Sequence, residues 1–232
     1  METLPGGFTL TVPEDCFPLS TDSMALADFV KLPRSARILD LGSGCGNLGL
    51  LLAAKDCSCR ITGIEISETS HLAALKNIRA NHLEDRMESL CRDLRQVPAL
   101  LKPGSYSVCV SNPPYFSGGP ASLRFQNARR EDSCSSQDLF TAAAWALKFG
   151  GDFFLVHRPE KLGELMGKAA AHGFECKRLG LLKARQDGPV TLILLQMRKG
   201  AKPGLILEET CLHDSFGNRT EDYIRIYHME ET

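Results

Sequence analysis

The chain has 232 residues, of which 43% are hydrophobic, so one α/β domain with a full core and a short extension is expected. A formal net charge of −1 excludes the strong overall basicity of many nucleic-acid-binding proteins. No apolar run is long enough to span a bilayer, and no signal peptide is expected. The nine cysteines lack metal-binding spacing, so we predict free thiols in a reducing cytoplasm and no metal site.

The first 36 residues are predicted to form an extension that packs on a main domain over residues 37–232. Residues 8–18 alternate loosely and predict a short edge hairpin. The apolar residues that follow are spaced as on one face of an amphipathic helix. We expect that helix to begin at one of three capping candidates: Ser20, Thr21 and Asp22.

A glycine-rich turn joins the first buried strand, residues 37–41, to a helix over residues 47–54. A strand, a glycine turn and a helix N-terminus bring backbone N–H groups against a ligand. Asp40, inside the end of the strand, is unusual for a core position. A tight turn without a ligand is the alternative. The turn contributes four candidate ligand-binding residues: Gly42, Ser43, Gly44 and Gly46.

Acidic residues end the next two predicted strands. Glu65 ends the strand over residues 60–65, about 20 residues past the glycines, where an acid binds the ribose in nucleotide-binding βαβ units. A helix cap is the alternative, since a helix over residues 67–81 follows. Asp93 comes shortly after a third strand over residues 87–91 and is a weaker candidate.

The fourth strand, residues 106–111, stops at Asn112, because the two prolines that follow forbid its continuation. Open α/β sheets place ligands at this end of their strands. The Asn112 side-chain oxygen can accept one hydrogen of an NH₂ group, and the Pro113 carbonyl can accept the other. Two acceptors would turn the nitrogen lone pair outward, toward an electrophile. The alternative is a strand followed by a proline-rich turn with an asparagine cap.

Aromatic and basic residues follow this asparagine turn. Tyr115 and Phe116 can stack on a planar base or amide. Residues 116–136 form a long polar loop with Arg124, Arg129 and Arg130, which could bind phosphates. An insertion without a role is the alternative. Residues 121–202 hold 14 lysines and arginines against 8 aspartates and glutamates, which suits a polyanion or an ordinary solvated surface.

The remaining pattern indicates further helices and strands without a second domain or a repeat. His157, at a strand end, could touch substrate, but a structural role is the commoner one. The expected elements are a helix over 137–148 stopped by glycines 150 and 151, a strand over 152–157, a helix to about 171, an antiparallel pair over 174–183 and 190–198, a possible extra strand over 205–212, and a short helix through 227.

Residues Asn112–Tyr115 resemble the catalytic motif of class I, S-adenosylmethionine-dependent N-methyltransferases, and Asp40–Gly46 resembles their first motif. These enzymes modify adenine N6, guanine N2 or glutamine amides. The chain is most similar to the bacterial tRNA adenine-N6 methyltransferases that act on valine tRNA. Further segments that carry this resemblance are residues 20–22, 128–131, 154–160 and 217–222.

The resemblance implies a Rossmann-like fold with a seven-stranded, mostly parallel sheet flanked by helices. It implies methyl transfer from S-adenosylmethionine to adenine N6 in tRNA, with the base flipped out. Guanine N2, protein glutamine, or a non-catalytic module that kept the cofactor pocket are the alternatives. The implied catalytic residues are Asn112, Pro113, Pro114 and Tyr115, and the RNA-binding residues are Phe116, Arg124, Arg129 and Arg130. The implied cofactor-binding residues are Thr21, Asp22, Asp40, Gly42, Ser43, Gly44, Gly46, Glu65, Asp93 and Asn112.

Overall fold

The computed structural model describes residues 2–113 and 134–228. In that part of the chain, ten strands form one two-stranded and one eight-stranded sheet. The strands are β1 (Glu2–Thr3), β2 (Thr9–Leu10), β3 (Arg37–Leu41), β4 (Arg60–Glu65), β5 (Met87–Cys91), β6 (Tyr106–Ser111), β7 (Leu147–His157), β8 (Phe174–Arg185), β9 (Val190–Lys199) and β10 (Ile206–His213). The helices are α1 (Thr21–Phe29), α2 (Asn47–Lys55), α3 (Glu68–Ala80), α4 (Val97–Leu100), α5 (Ser136–Ala146), α6 (Leu162–Ala171) and α7 (Glu221–Tyr227).

The large sheet has the strand order β10-β8-β9-β7-β6-β3-β4-β5. Strand β9 is antiparallel to both of its neighbours, and the other pairs are parallel. The predicted mostly parallel sheet with flanking helices is confirmed. The seven expected strands are joined by β10, the possible extra strand. The chain order reverses between β3 and β6, and open α/β sheets bind ligands at such a switch point.

Both faces of the sheet are covered by helices, because side chains alternate along the central strands. On β7, Phe154 lies in one apolar cluster with α1 and α2, and Phe153 lies in the other with α5 and α6. The Phe29 and Phe154 rings are 6.2 Å apart between centroids, and the Phe140 and Phe153 rings are 5.5 Å apart, both edge to face. These contacts fix α1 and α5 against β7, which is the neighbour of β6 in the sheet.

Two local predictions were wrong. The hairpin pairs β1 with β2 instead of lying within residues 8–18, because Gly6 and Gly7 adopt the positive φ that the reversal requires. Helix α5 ends at Ala146, two residues early, because Leu147 is already extended and pairs with Tyr106 on β6.

Helix α1 shares its buried core with α2 and with residues of β7. One apolar cluster thus includes residues from both sides of residue 36, and the division of the chain at that residue stays a prediction. All nine cysteines are free thiols. Within residues 2–113 and 134–228, no helix combines the length and the apolar character needed to cross a bilayer.

Candidate active site

Four polar side chains lie at or just beyond the carboxyl ends of four adjacent strands. Asp40 lies near the end of β3, Glu65 ends β4, Asp93 follows β5 and Asn112 follows β6. These strands are neighbours in the order β6-β3-β4-β5. Because neighbouring strands lie about 4.8 Å apart, the four side chains occupy one sheet edge about 15 Å long. The four side chains thus lie along the same edge of the sheet, and their predicted roles in one site stay predictions.

The glycine turn between β3 and α2 is held by backbone hydrogen bonds. The Gly42 and Ser43 N–H groups both donate to the Ile64 carbonyl, at 2.9 and 3.0 Å. Gly42 and Gly44 have φ of +77° and +56°, a region that favours glycine. A side chain at either position would meet no atom within 4 Å. The turn is therefore rigidly attached to β4 yet has open space beside its first two glycines.

The second part of the turn packs against β5. Gly46, with φ of +87°, is the N-cap of α2, and a Cβ there would lie 3.3 Å from the Met87 methyl carbon. A Cβ on Gly49 would lie only 2.5 Å from the same carbon. A larger residue at either position would have to displace Met87.

The Glu65 carboxylate is bound by backbone N–H groups. One of its oxygens accepts from the Gly44 N–H and the other from the Ser67 N–H, each at 2.8 Å. Ser67 is the N-cap of α3. Glu65 therefore links the glycine turn to the start of the next helix, and its contact with a ribose stays a prediction.

Asp40 is a buried carboxyl group, and one of its oxygens accepts no hydrogen bond from the described residues. It is 1% exposed, and its Oδ2 has no hydrogen-bond partner among the described residues. Burial, and then the charge of Glu65, raises the pKa of Asp40 to about 7, although the Gly49 N–H acts to lower it. A cationic ligand would favour the ionised form of this carboxyl.

Two further buried oxygens, one in the turn and one at the start of α2, lack a hydrogen-bond partner among the described residues. Ser43 Oγ and Asn47 Oδ1 are buried without a partner in the described part of the chain. Buried polar atoms are usually hydrogen-bonded in folded proteins, so each such atom calls for a reason. Ser43 Oγ lies against β4, where a Cβ on Gly63 would approach it to 2.6 Å, so the features of the turn that fit a positively charged ligand are the Asp40 carboxyl and the open space at Gly42 and Gly44.

Asp93 lies at the far end of this row of side chains. Its carboxylate accepts from the Arg95 backbone N–H and from Arg95 Nε, each at 2.8 Å. The hydrogen bond from the Arg95 side chain lowers the pKa of Asp93. Asp93 is thus an ionised acceptor at neutral pH, and its contact with a cofactor amino group stays a prediction.

Asn112 is half-buried and is fixed from two sides. The hydroxyl of the preceding Ser111 donates to the Leu41 carbonyl at 2.7 Å, which ties the end of β6 to the end of β3. Asn112 Nδ2 donates to Ser23 Oγ on α1 at 2.9 Å. The following Pro113 is buried. The predicted roles of Pro114, Tyr115, Phe116, Arg124, Arg129 and Arg130 fall on residues outside the described ranges.

The structure selects Ser20 as the N-cap of α1, with its hydroxyl accepting from the Ser23 N–H at 3.4 Å. The Thr21 hydroxyl lies 2.6 Å from the Tyr227 hydroxyl on α7, and Thr21 also lines a cavity of about 520 Å³ beside the N-terminal hairpin. Asp22 lies in the first turn of the helix. Cofactor roles for Thr21 and Asp22 stay predictions.

His157 ends β7 in a buried position. Its Nδ1 accepts from the Arg158 N–H at 2.8 Å, and burial lowers its pKa. His157 is therefore neutral at physiological pH, and the contact with Arg158 favours the structural interpretation.

Ser23 carries no local sequence signal of a functional role. The one signal in the sequence is a polar residue just before an apolar stretch, residues 24–27, in a helix that is expected to be buried. Nothing in that pattern indicates that Ser23 meets Asn112, which lies 89 residues further along the chain.

Known proteins match this chain in sequence and in fold. Residues 19–169 match the methyltransferase small domain family. The tRNA1(Val) (adenine(37)-N6)-methyltransferase of Shewanella halifaxensis is 33% identical over 181 residues, which cover 77% of this chain and 73% of the relative. The enzyme of the same name from Photobacterium profundum is 28% identical over 203 residues, 85% of this chain and 84% of the relative.

Solved structures share the fold. A predicted O-methyltransferase of Agrobacterium tumefaciens matches with a TM-score of 0.75 and 22% identity, covering 89% of this chain and 95% of that one. Geranyl diphosphate C-methyltransferase from Streptomyces coelicolor, solved with S-adenosyl-L-homocysteine, matches with a TM-score of 0.58 and 12% identity, covering 76% and 79%.

The doubly wound sheet, with its glycine turn and its row of polar strand ends, defines a class I methyltransferase fold. The chain belongs to the methyltransferase small domain family, in the group of relatives named tRNA1(Val) (adenine(37)-N6)-methyltransferase. The predicted methyltransferase class is thereby confirmed.

Proposed function

We propose that this chain methylates N6 of an adenine in tRNA and uses S-adenosylmethionine as the methyl donor, with S-adenosylhomocysteine as product. The observation that carries the proposal is the position of Asn112. It follows β6, the strand that pairs with β3, and β3 leads into the glycine turn. An acceptor for an amino group thus lies next to the expected cofactor site. The names of the relatives favour tRNA adenine as the substrate.

The donor would lie against the glycine turn. Gly42 and Gly44 leave open space there, and the Asp40 carboxyl supplies the negative charge that its cationic groups need. Glu65 and Asp93 would accept hydrogen bonds from its ribose and its adenine amino group. When bound, S-adenosylmethionine supplies a methyl group on a positively charged sulfur.

The residues at the end of β6 would hold the substrate amino group. Asn112 Oδ1 and the Pro113 carbonyl would each accept one of its hydrogens. This arrangement turns the nitrogen lone pair outward and requires no general base of unusual pKa. Positioning, together with exclusion of water, would then supply most of the rate enhancement.

The RNA would be held by residues that follow Pro113. Tyr115 and Phe116 would stack on the flipped base, and Arg124, Arg129 and Arg130 would contact phosphates. A tRNA substrate also places the reaction in the cytoplasm.

Nucleoside mass spectrometry of tRNA from a strain that lacks the gene tests this proposal. We expect loss of N6-methyladenosine from one tRNA, restored by the wild-type gene and not by Asn112→Ala. Loss of N2-methylguanosine, or of methylated glutamine in a protein, would assign one of the alternative substrates instead. No change in any of the three would favour a non-catalytic module.

A further inference from the structure

The hydrogen bond between Asn112 and Ser23 joins the candidate catalytic strand to the N-terminal helix. The donor is Asn112 Nδ2 and the acceptor is Ser23 Oγ, at 2.9 Å. Ser23 is only 5% exposed, so water competes little for this contact. Ser23 lies outside every residue set that the sequence analysis assigned to catalysis or binding.

Helix α1 is a firm support for this contact. At its carboxyl end, Lys55 Nζ donates to the carbonyls of Ala27, Asp28 and Val30, at 2.9, 2.8 and 2.7 Å. These bonds satisfy carbonyls that a helix end leaves unpaired. At its start, the Ser20 cap and the contact between Thr21 and Tyr227 hold the first turn.

A planar carboxamide presents an acceptor on one side and two donors on the other. Only the oxygen suits a substrate amino group, because that group brings its own hydrogens. If the amide were flipped, its NH₂ group would face the NH₂ group of the substrate, and two hydrogen-bond donors would oppose each other. Because Asn112 Nδ2 donates to Ser23 on α1, Oδ1 is the atom of the amide that remains to accept from the substrate amino group.

We infer that Ser23 is a positioning residue for Asn112: it holds the carboxamide in the orientation that lets Oδ1 accept from the substrate amino group. This inference rests on the proposed function, because it assigns the Asn112 oxygen to an amino group. Ser23 touches neither substrate nor donor in this scheme and acts through Asn112 alone.

Steady-state methylation of a tRNA transcript tests the inference. We expect Ser23→Ala to lower kcat about tenfold, which corresponds to about 1.4 kcal/mol, near the upper end for one ordinary hydrogen bond. The KM for tRNA and the affinity for S-adenosylmethionine should change less than about twofold. Ser23→Thr keeps the hydroxyl and should restore most of the rate.

Ser89→Ala is the matched control, because Ser89 is also buried and its hydroxyl makes one side-chain hydrogen bond, to His71 at 2.8 Å. We expect its kcat to stay near the wild-type value. Ser23→Ala should have no further effect in an Asn112→Ala background. An unchanged kcat in Ser23→Ala, or an additional tenfold loss in the double variant, would overturn the inference.

A second measurement does not depend on activity. In ¹⁵N-labelled protein, the side-chain NH₂ signal of Asn112, assigned by its absence in Asn112→Asp, should exchange with solvent more slowly in wild type than in Ser23→Ala. Equal exchange in the two proteins would show that Ser23 does not protect the Asn112 amide and would overturn the inference. An inactive wild-type enzyme with protected exchange would instead count against the proposed substrate alone.

Discussion

The Glu65 carboxylate accepts the Gly44 N–H at 2.8 Å, across 21 residues of chain. The same carboxylate also accepts the Ser67 N–H at the start of α3. The Glu65 side chain, at the end of β4, thus helps to hold the glycine turn that follows β3. If the ribose binds here as well, loss of Glu65 removes a ligand contact and loosens the turn at the same time.

Replacement of Glu65 by alanine should weaken binding of S-adenosylmethionine and S-adenosylhomocysteine about 10- to 100-fold. Hydrogen bonds to a charged group contribute about 1.5–3 kcal/mol, and each 1.4 kcal/mol is about tenfold in affinity. Titration calorimetry measures the change. Glu68→Ala removes an exposed acid nearby and should bind like wild type. No detectable binding to the wild-type protein would refute the cofactor assignment.

Asn112→Ala should lower the rate of methyl transfer about 10²–10³-fold, the usual effect of removing one preorganised polar group. Affinity for the donor should stay within about twofold if Asn112 acts on the substrate amino group alone, and a larger loss would favour the cofactor contact that the resemblance also implies for Asn112. Single-turnover rates and calorimetry on the same preparation separate the two effects. Turnover near the wild-type value would reduce Asn112 to a turn residue.

Binding of the donor should depend on pH through Asp40. Burial, followed by the charge of Glu65, raises the pKa of Asp40 to about 7, so the carboxyl is largely protonated below that pH. Cationic groups of the donor favour the ionised form. Affinity should therefore rise about tenfold between about pH 6 and about pH 8, following the ionised fraction. Asp40→Asn should bind weakly and show no such dependence in calorimetry.

The same group should affect folding with a definite sign. The pKa of Asp40 is higher in the folded protein than in the unfolded chain, so the folded state binds more protons between about pH 4 and about pH 7. The free energy of unfolding should therefore fall as pH rises through this window and level off above it. Urea titrations at several pH values should show a flatter profile for Asp40→Asn, and identical profiles would contradict the assignment.

Binding of tRNA should depend on salt through the three arginines that the sequence places after Asn112. If Arg124, Arg129 and Arg130 contact phosphates, their replacement by alanine should flatten the log–log salt slope by about 0.7 per contact, or about two units. Affinity for the donor should not change. Filter binding across a salt series compares this variant with wild type.

The matched control removes the same charge from the opposite end of the sheet. Arg34 precedes β3, Arg60 begins β4, and both are exposed, as is Arg79 on α3. The triple alanine variant at these three positions should keep the wild-type slope. Equal salt slopes for wild type and both triple variants would show that Arg124, Arg129 and Arg130 do not contact RNA phosphates.

Much of the site could be predicted from the sequence because prolines and glycines show where the strands end. Prolines stop β6 at Asn112, and glycines turn the chain after Asp40, so side chains there can be placed from the pattern alone. The partners of these residues were not predictable in the same way. Ser23 meets Asn112, and Thr21 meets Tyr227, through contacts between distant segments that no local pattern encodes.

The thioether of Met87 lies behind the glycine turn and fills the space that side chains at Gly46 and Gly49 would need. Its sulfur would be 3.6 Å from a Cβ on Gly49. Conversion to the sulfoxide adds a polar oxygen to this tightly filled place and disturbs such packing. Met87 is only 5% exposed at the start of β5, so its burial shields the thioether, and with it the packing that supports the start of α2, from this chemistry.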